Sequence, residues 1–320
     1  MDTLLLDAAR AAVRAACALC IQAARDPGPP RRKVDLSPVT VADYASQARI
    51  AQTLEEACPQ IPLVAEEDAS LLRVPPGRGL LEAVCRLLGE PPDRVLARVD
   101  RGRGAPGGCF WVADPVDGTK GFLGGGQYAV ALALVEEGRV VLGALGCPRL
   151  GFGGRKGEGG TLLWAVRGRG AWEEPLIEPG EPPRRVAVSA RTGLRSARRC
   201  EPRDPAHADQ ALAEGLARCL GLQGPVLRLD SQVKYALVAR GEAELYWRFP
   251  RPGDPPQWVW DHAAGALLVE EAGGVATDLD GRPLDFGCGR RLSRNRGILA
   301  TNGALHGAVL AALARGGGCG

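Results

Sequence analysis

The chain has 320 residues, 45% apolar and 24% charged, which excludes a disordered protein and leaves room for one large domain or two lobes. A net charge of +3 gives no global field for nucleic acid. Aromatic content of 5% without basic–aromatic interleaving argues against a single-strand binder, and no apolar stretch is long enough to span a membrane.

Residues 4–24 carry Leu4, Leu5, Ala8, Ala12, Ala15, Ala16 and Leu19 at helical spacing, which predicts a structural first helix rather than part of a transit peptide. Ten cysteines without a repeating framework fit a reducing compartment. Cys17 and Cys20 read as small buried residues, because no second pair completes a zinc site. A cytoplasmic protein is expected, with chloroplast or mitochondrion as the alternative if the N-terminus is incomplete. The cluster Asp26-Pro27-Gly28-Pro29-Pro30 stops the helix. Arg31-Arg32-Lys33, like Arg184-Arg185 and Arg290-Arg291, reads first as a solvated face and second as the lining of a pocket for an anion.

Ser37 to Thr40 is extended, a second helix runs from Val41 to Ala57, and Leu63-Val64-Ala65 is a short strand leading to Glu66. Residues 68–108 read as an irregular surface insertion with a helix at 79–89. Cys109–Ala113 is a buried strand with Asp114 at its end. Strands follow at 127–135, 139–147, 161–166 and 171–172, giving helices packed on an antiparallel sheet. The Pro/Gly/Glu-rich stretch at 174–184 divides an N-terminal lobe, 1–180, from a C-terminal lobe, 181–320. The second lobe alternates: strand 185–189, helix 206–220, strand 225–229, helix 231–240, strand 243–249, helix 262–272, strand 297–300 and helix 303–314. The fold class is α/β, with α+β layering.

Glu66-Glu67, Asp114-Pro115-Val116-Asp117 and Trp260-Asp261 bring carboxylates from three separate stretches. Gathering them is costly unless cations neutralise them, and oxygen-only surroundings suit hard divalent ions such as Mg²⁺. Two such ions clamp the attacking and leaving oxygens of a phosphate ester, which points to a Mg²⁺-dependent phosphatase. The carbonyl of Val116 offers a further hard ligand, and Gly118 lets the backbone approach an anion. Asp261 reads equally as a helix N-cap. Asp43 is either a solvent-facing helical residue or the acceptor of a proton from Thr119, which orients the attacking water. Ser231 caps a helix or binds phosphate, Lys234 is a surface lysine or its cationic partner, and Arg248 is a candidate contact for a second phosphate or a base. His262 reads as a satisfied partner. No G-x-S-x-G elbow supports a serine hydrolase.

Glu66-Glu67, Asp114-Pro-Val-Asp-Gly-Thr119 and Trp260-Asp261 in that order resemble the inositol monophosphatase superfamily of lithium-sensitive phosphatases. Within it, Ser37-Pro-Val-Thr-Val-Ala-Asp43-Tyr44, Asp117-Gly-Thr-Lys-Gly-Phe-Leu123, Gly143-Ala-Leu-Gly-Cys-Pro148, Leu229-Asp-Ser-Gln-Val-Lys-Tyr235, Trp260-Asp-His-Ala-Ala-Gly265 and Pro283-Leu-Asp-Phe-Gly287 are similar to the bisphosphate nucleotidase branch. The resemblance implies an αβαβα sandwich with its site between two lobes. It implies two or three Mg²⁺ ions on Glu66, Asp114, the Val116 carbonyl, Asp117 and Asp261, and Asp43 and Thr119 activating water. Gly118, Thr119, Ser231, Lys234 and Arg248 would contact a phosphoadenosine nucleotide, with His207 near the base. Glu201-Pro-Arg-Asp-Pro-Ala206 replaces the family's Gly/His/Ser-rich run, and Ala65 replaces its glycine. The implied reaction removes the 3′-phosphate of adenosine 3′,5′-bisphosphate, and of its sulfated form, with inhibition by Li⁺ or Na⁺. The expected protein is a monomer, with no nucleic-acid polymer and no membrane as partner. An inositol phosphate phosphatase is the rival reading, and a non-catalytic phosphoadenosine sensor the rival from another class.

Overall fold

A computed structural model describes residues 3–25, 30–33, 38–154, 159–177, 180–204 and 209–315. In chain order the elements of the first half are α1 (Thr3–Ala23), β1 (Arg31–Arg32), β2 (Pro38–Val39), α2 (Val41–Ala57), β3 (Leu63–Ala65), α3 (Arg78–Leu88), α4 (Pro92–Asp100), β4 (Cys109–Asp117), α5 (Thr119–Leu123), β5 (Ala129–Glu136), β6 (Arg139–Cys147), β7 (Thr161–Val166), β8 (Ala171–Pro175) and β9 (Arg184–Val186). The second half holds β10 (Arg199–Glu201), α6 (Gln210–Cys219), β11 (Val226–Arg228), α7 (Val233–Ala239), β12 (Leu245–Arg248), α8 (Ala263–Glu271), β13 (Val275–Thr277), β14 (Ile298–Thr301) and α9 (His306–Ala314).

Two sheets organise the molecule. The first has seven strands in the order β3-β4-β5-β6-β7-β8-β9, antiparallel except for β3 beside β4. The second has five strands in the order β11-β10-β12-β14-β13, with β10 parallel to both neighbours. Helices α1 and α2 cover one face of the first sheet, where Ala12, Val13, Ala16, Ile50 and Leu54 pack on Trp111, Leu132 and Leu142. Helices α7 and α8 fill the space between the sheets, their apolar residues joining Phe110, Val112 and Leu163 to Tyr246 and Ala300. Helices α6 and α9 cover the outer face of the second sheet with Leu216, Ala217 and Val309 against Leu245, Trp247 and Leu299. The result is the expected αβαβα layering.

Small residues set the central spacing. Gly143 of β6 lies under α8, where an added Cβ would stand 3.1 Å from the backbone of Ala264. Gly265 faces the Tyr235 ring, where an added Cβ would stand 2.4 Å away, so only glycine lets α7 and α8 pack so closely.

Several expectations need correction. Residues 92–100 form α4 rather than loop: Pro92 stands in its first turn, where a missing N–H costs nothing, and Val95 and Val99 are buried beneath α2. Strand β4 does not end at Ala113 but continues through Asp117, absorbing Asp-Pro as a register shift between Asp114 and Asp117. The strand expected to open the second half is shorter, Arg184–Val186, and pairs with β8 as the last strand of the first sheet. Strands β10 and β13 were not anticipated, being three residues each and without alternation.

Candidate active site

The parallel strands β3 and β4 carry their C-terminal ends to one cavity of about 840 Å³. Glu66, Asp114, Val116, Asp117, Gly118, Thr119, Ser231, Lys234, Arg248 and Asp261 all line it, so residues spread over nearly two hundred positions converge. His207 lies outside the described residues.

The local geometry follows from the chain. Gly118 at φ 87° turns β4 into α5, and a Cβ there would approach the Ser231 side chain to 3.1 Å. Thr119 Oγ1 lies 3.2 Å from Asp43 Oδ1 and 3.2 Å from the Val116 carbonyl. Asp43 is not solvent-facing. It is buried at the third position of α2 in a capping box, its Oδ2 accepting from the Thr40 amide and hydroxyl at 2.7 Å each. That leaves Oδ1 to face Thr119. Ser46 holds the Pro115 carbonyl at 2.9 Å, tying α2 to the bend in β4.

Asp117 Oδ2 accepts from the Gln232 amide at 2.5 Å. The Gln232 side chain donates to the Trp260 carbonyl at 2.9 Å and accepts from the Gly265 amide at 3.0 Å, so one residue joins the β4 end, α7 and α8. Gln232 stands in the Asp-Ser-Gln-Val-Lys segment but suggested no role as a sequence. Gln47 works similarly at the other wall, bonding the Glu67 carbonyl at 2.6 Å and the Glu67 amide at 2.9 Å.

Three alternatives resolve. Asp261 does not cap α8: the cap position is His262, and Asp261 faces the cavity 3.5 Å from Arg248 Nη1. Lys234 is buried rather than on the surface, donating to the Ser231 carbonyl at 2.6 Å. Ser231 precedes the α7 cap, sits at φ 67° and accepts from the Val233 amide at 3.3 Å. A non-glycine residue in that region is strained, which is common where a side chain must be aimed at a ligand. His262 is buried with Nδ1 2.8 Å from the Tyr235 hydroxyl, as a satisfied partner would be, although its Nε2 has no partner.

Electrostatics set this cavity apart. Burial pushes Asp114 well above the usual carboxylate range, and the charges of Glu66, Asp117 and Asp261 push further. Burial raises Asp117 to about 6 against the pull of Lys234, and Asp261 to about 7 against Arg248. Asp43 is raised to about 6 by burial, with Thr40 opposing. The local cations therefore do not fully offset burial and the repulsion between the acids. The residue unforeseen in this balance is Lys33, from the run read first as a solvated face. Its Nζ lies 2.6 Å from Glu66 Oε1 and 2.5 Å from Glu67 Oε1. Arg31 and Arg32 are exposed, as a solvated face would be, and also line the same cavity. Among the described residues, no three acidic, histidine or cysteine side chains close into a cage around a point, and Glu66 is turned towards Lys33. The donor set is oxygen only and largely withdrawn from water, and its carboxylates raise one another's proton affinity, which suits a hard divalent cation.

The inositol monophosphatase family model matches residues 2–317. The chain belongs to this family. It is an enzyme, a phosphatase. A 3′(2′),5′-bisphosphate nucleotidase from Oryza sativa is 40% identical over 335 residues, covering 96% of this chain and 93% of the relative. The protein of the same name from Schizosaccharomyces pombe is 37% identical, covering 84% and 81%. Among solved structures, Thermotoga maritima IMPase superposes with a TM-score of 0.70 at 21% identity, covering 97% of this chain and 96% of that one, and so shares the fold.

Proposed function

We propose that the chain removes the 3′-phosphate of adenosine 3′,5′-bisphosphate to give AMP and phosphate. On this reading it also acts on the sulfated form, 3′-phosphoadenylyl sulfate, and so clears a by-product of sulfate assimilation. The observation that carries the reading is one cavity lined both by the acids Glu66, Asp114, Asp117 and Asp261 and by Ser231, Lys234 and Arg248, with Arg248 3.5 Å from Asp261. A volume of about 840 Å³ suits a nucleotide. The names of the relatives support the substrate class.

Glu66, Asp114, the Val116 carbonyl, Asp117 and Asp261 would hold Mg²⁺. Bound there, it neutralises phosphoryl oxygens and acidifies water. Asp43 and Thr119 form the proton path. The hydroxyl of Thr119 orients the attacking water, and Asp43 Oδ1, whose partner oxygen is already saturated, takes the proton. A carboxyl near pH 6 is matched to that task around neutrality. Lys234 and Arg248 fix the nucleotide's anionic groups, so the reaction rests on positioning and charge.

The test is phosphate release from adenosine 3′,5′-bisphosphate and from inositol 1,4-bisphosphate, with Mg²⁺, with EDTA and with Li⁺, beside Asp117→Asn. Mg²⁺-dependent release from the nucleotide, inhibited by Li⁺ and absent in the variant, is expected. Preference for the inositol ester would replace the substrate assignment. Nucleotide binding without turnover of either ester would make the chain a sensor.

A further inference from the structure

A second cavity, of about 340 Å³, adjoins the first, and Asp230 lines both. Its walls are the turn at 125–127, Arg149, Arg203, Arg228 and Asp230. Three guanidinium groups thus share a small space whose only lining carboxylate is Asp230. Arg149 Nη1 donates to the Gly125 carbonyl at 2.6 Å, which aims it at the turn without neutralising it. Arg203 Nη1 lies close over Gly126, where an added Cβ would stand 2.9 Å from it. Among the described residues, neither Arg149 nor Arg203 has a carboxylate ion-pair partner. Arg228 reaches Glu201 at 3.4 Å, but Glu201 already takes the closer Arg199 Nε at 2.7 Å. Gln127, held by donation to the Arg149 carbonyl at 3.0 Å, keeps its Oε1 buried without a partner.

Three exposed guanidinium groups beside one lining carboxylate leave a local excess of positive charge, which solvent screens and a bound anion offsets. Guanidinium forks match tetrahedral oxyanions with paired donors, better than they match a monovalent ion. The glycines let such an ion come close to the backbone. We propose that Arg149, Arg203 and Arg228 form an anion site, separate from the substrate cavity, that takes a tetrahedral dianion such as phosphate or sulfate. The site does not depend on the proposed reaction. The dianion is either a free ion or the phosphate group of a nucleotide.

The experiment is calorimetric titration of the full chain with sodium sulfate in EDTA, where the carboxylates of the first cavity repel anions. Wild type, Arg203→Gln/Arg228→Gln and Arg248→Gln are compared, with thermal midpoints in sulfate as a second readout. The double variant should bind sulfate at least about tenfold more weakly and lose the sulfate-induced rise in midpoint. Arg248→Gln should keep both. Equal binding by wild type and double variant, equal loss in Arg248→Gln, or no saturable binding below about 10 mM would overturn the site. A competition arm with AMP names the ligand: displacement of sulfate assigns a nucleotide phosphate group, and no displacement assigns a free ion.

Discussion

Two buried groups of acidic residues face different fates in this molecule. Glu173 of β8 is fully buried but meets Arg184 Nε at 2.5 Å and Arg240 Nε at 3.5 Å, and Arg240 also bonds the Gly151 carbonyl at 3.0 Å. Each charge there has a counter-charge, and the pair joins the end of α7 to the first sheet. In the cavity, by contrast, burial drives Asp43, Asp117 and Asp261 to about 6, 6 and 7, with neighbouring carboxylates adding to the shift, so Lys33, Lys234 and Arg248 do not compensate them fully. Burial of charge is common to both, so burial alone does not mark a functional site. Uncompensated burial does, because folding gains nothing from it and only a ligand offsets it.

The contrast is broken most directly by neutralising one acid in each group. Asp117→Asn should lower Mg²⁺-dependent phosphatase activity by about 10³-fold while leaving the metal-free thermal midpoint unchanged or higher. Glu173→Gln should leave kcat nearly intact at low temperature but cost about 1–3 kcal/mol in denaturant unfolding, because the buried pairing with Arg184 is weakened while Arg240 keeps Glu242 at 2.6 Å. If both variants lose stability equally, the two groups do not differ as argued.

A pH series sharpens the same point. Asp43, Asp117 and Asp261 bind protons more tightly folded, at about 6, 6 and 7, than a free aspartate at 3.8. The folded chain therefore holds more protons than the unfolded one between roughly pH 4 and pH 7, and metal-free stability falls as pH rises through that window. Saturating Mg²⁺ should flatten the slope. A slope of opposite sign in EDTA would mean that the carboxylates are already compensated.

The smallest effect is expected at Lys33. Lys33→Gln removes the ammonium bridging Glu66 and Glu67, so the metal-free midpoint should drop by a few degrees. Mg²⁺ should bind several-fold more tightly by calorimetry, since Glu66 no longer has a competing cation. Unchanged Mg²⁺ affinity would show that the Lys33–Glu66 pair does not compete.

Much of this site was legible along the chain. Asp-Pro-Val-Asp-Gly-Thr and Trp-Asp announce themselves because each is a compact segment whose residue types suit one chemistry. The helix at Val41–Ala57 and the strand at Leu63–Ala65 were legible because local stop signals bound them. The contacts that give those segments their properties were not legible. Lys33 was one basic residue in a run of three, and nothing local distinguishes it from a solvated lysine. Lys234 looks like a surface residue until α7 is packed between two sheets. Strand β9 has no pattern of its own that says which sheet it joins, because three residues acquire their register only from β8.

The sequence by itself determined the longer helices and strands and the acidic segments at the strand ends, since periodicity, turn chemistry and motif composition are written within short stretches, and its resemblance to a family implied the αβαβα layering. The tertiary structure alone decided which carboxylates lack counter-charges, which oxygen of Asp43 faces Thr119, and that Arg149, Arg203 and Arg228 share a cavity. Those facts are distances between residues far apart in the chain, and they exist only once the two sheets have closed around α7 and α8.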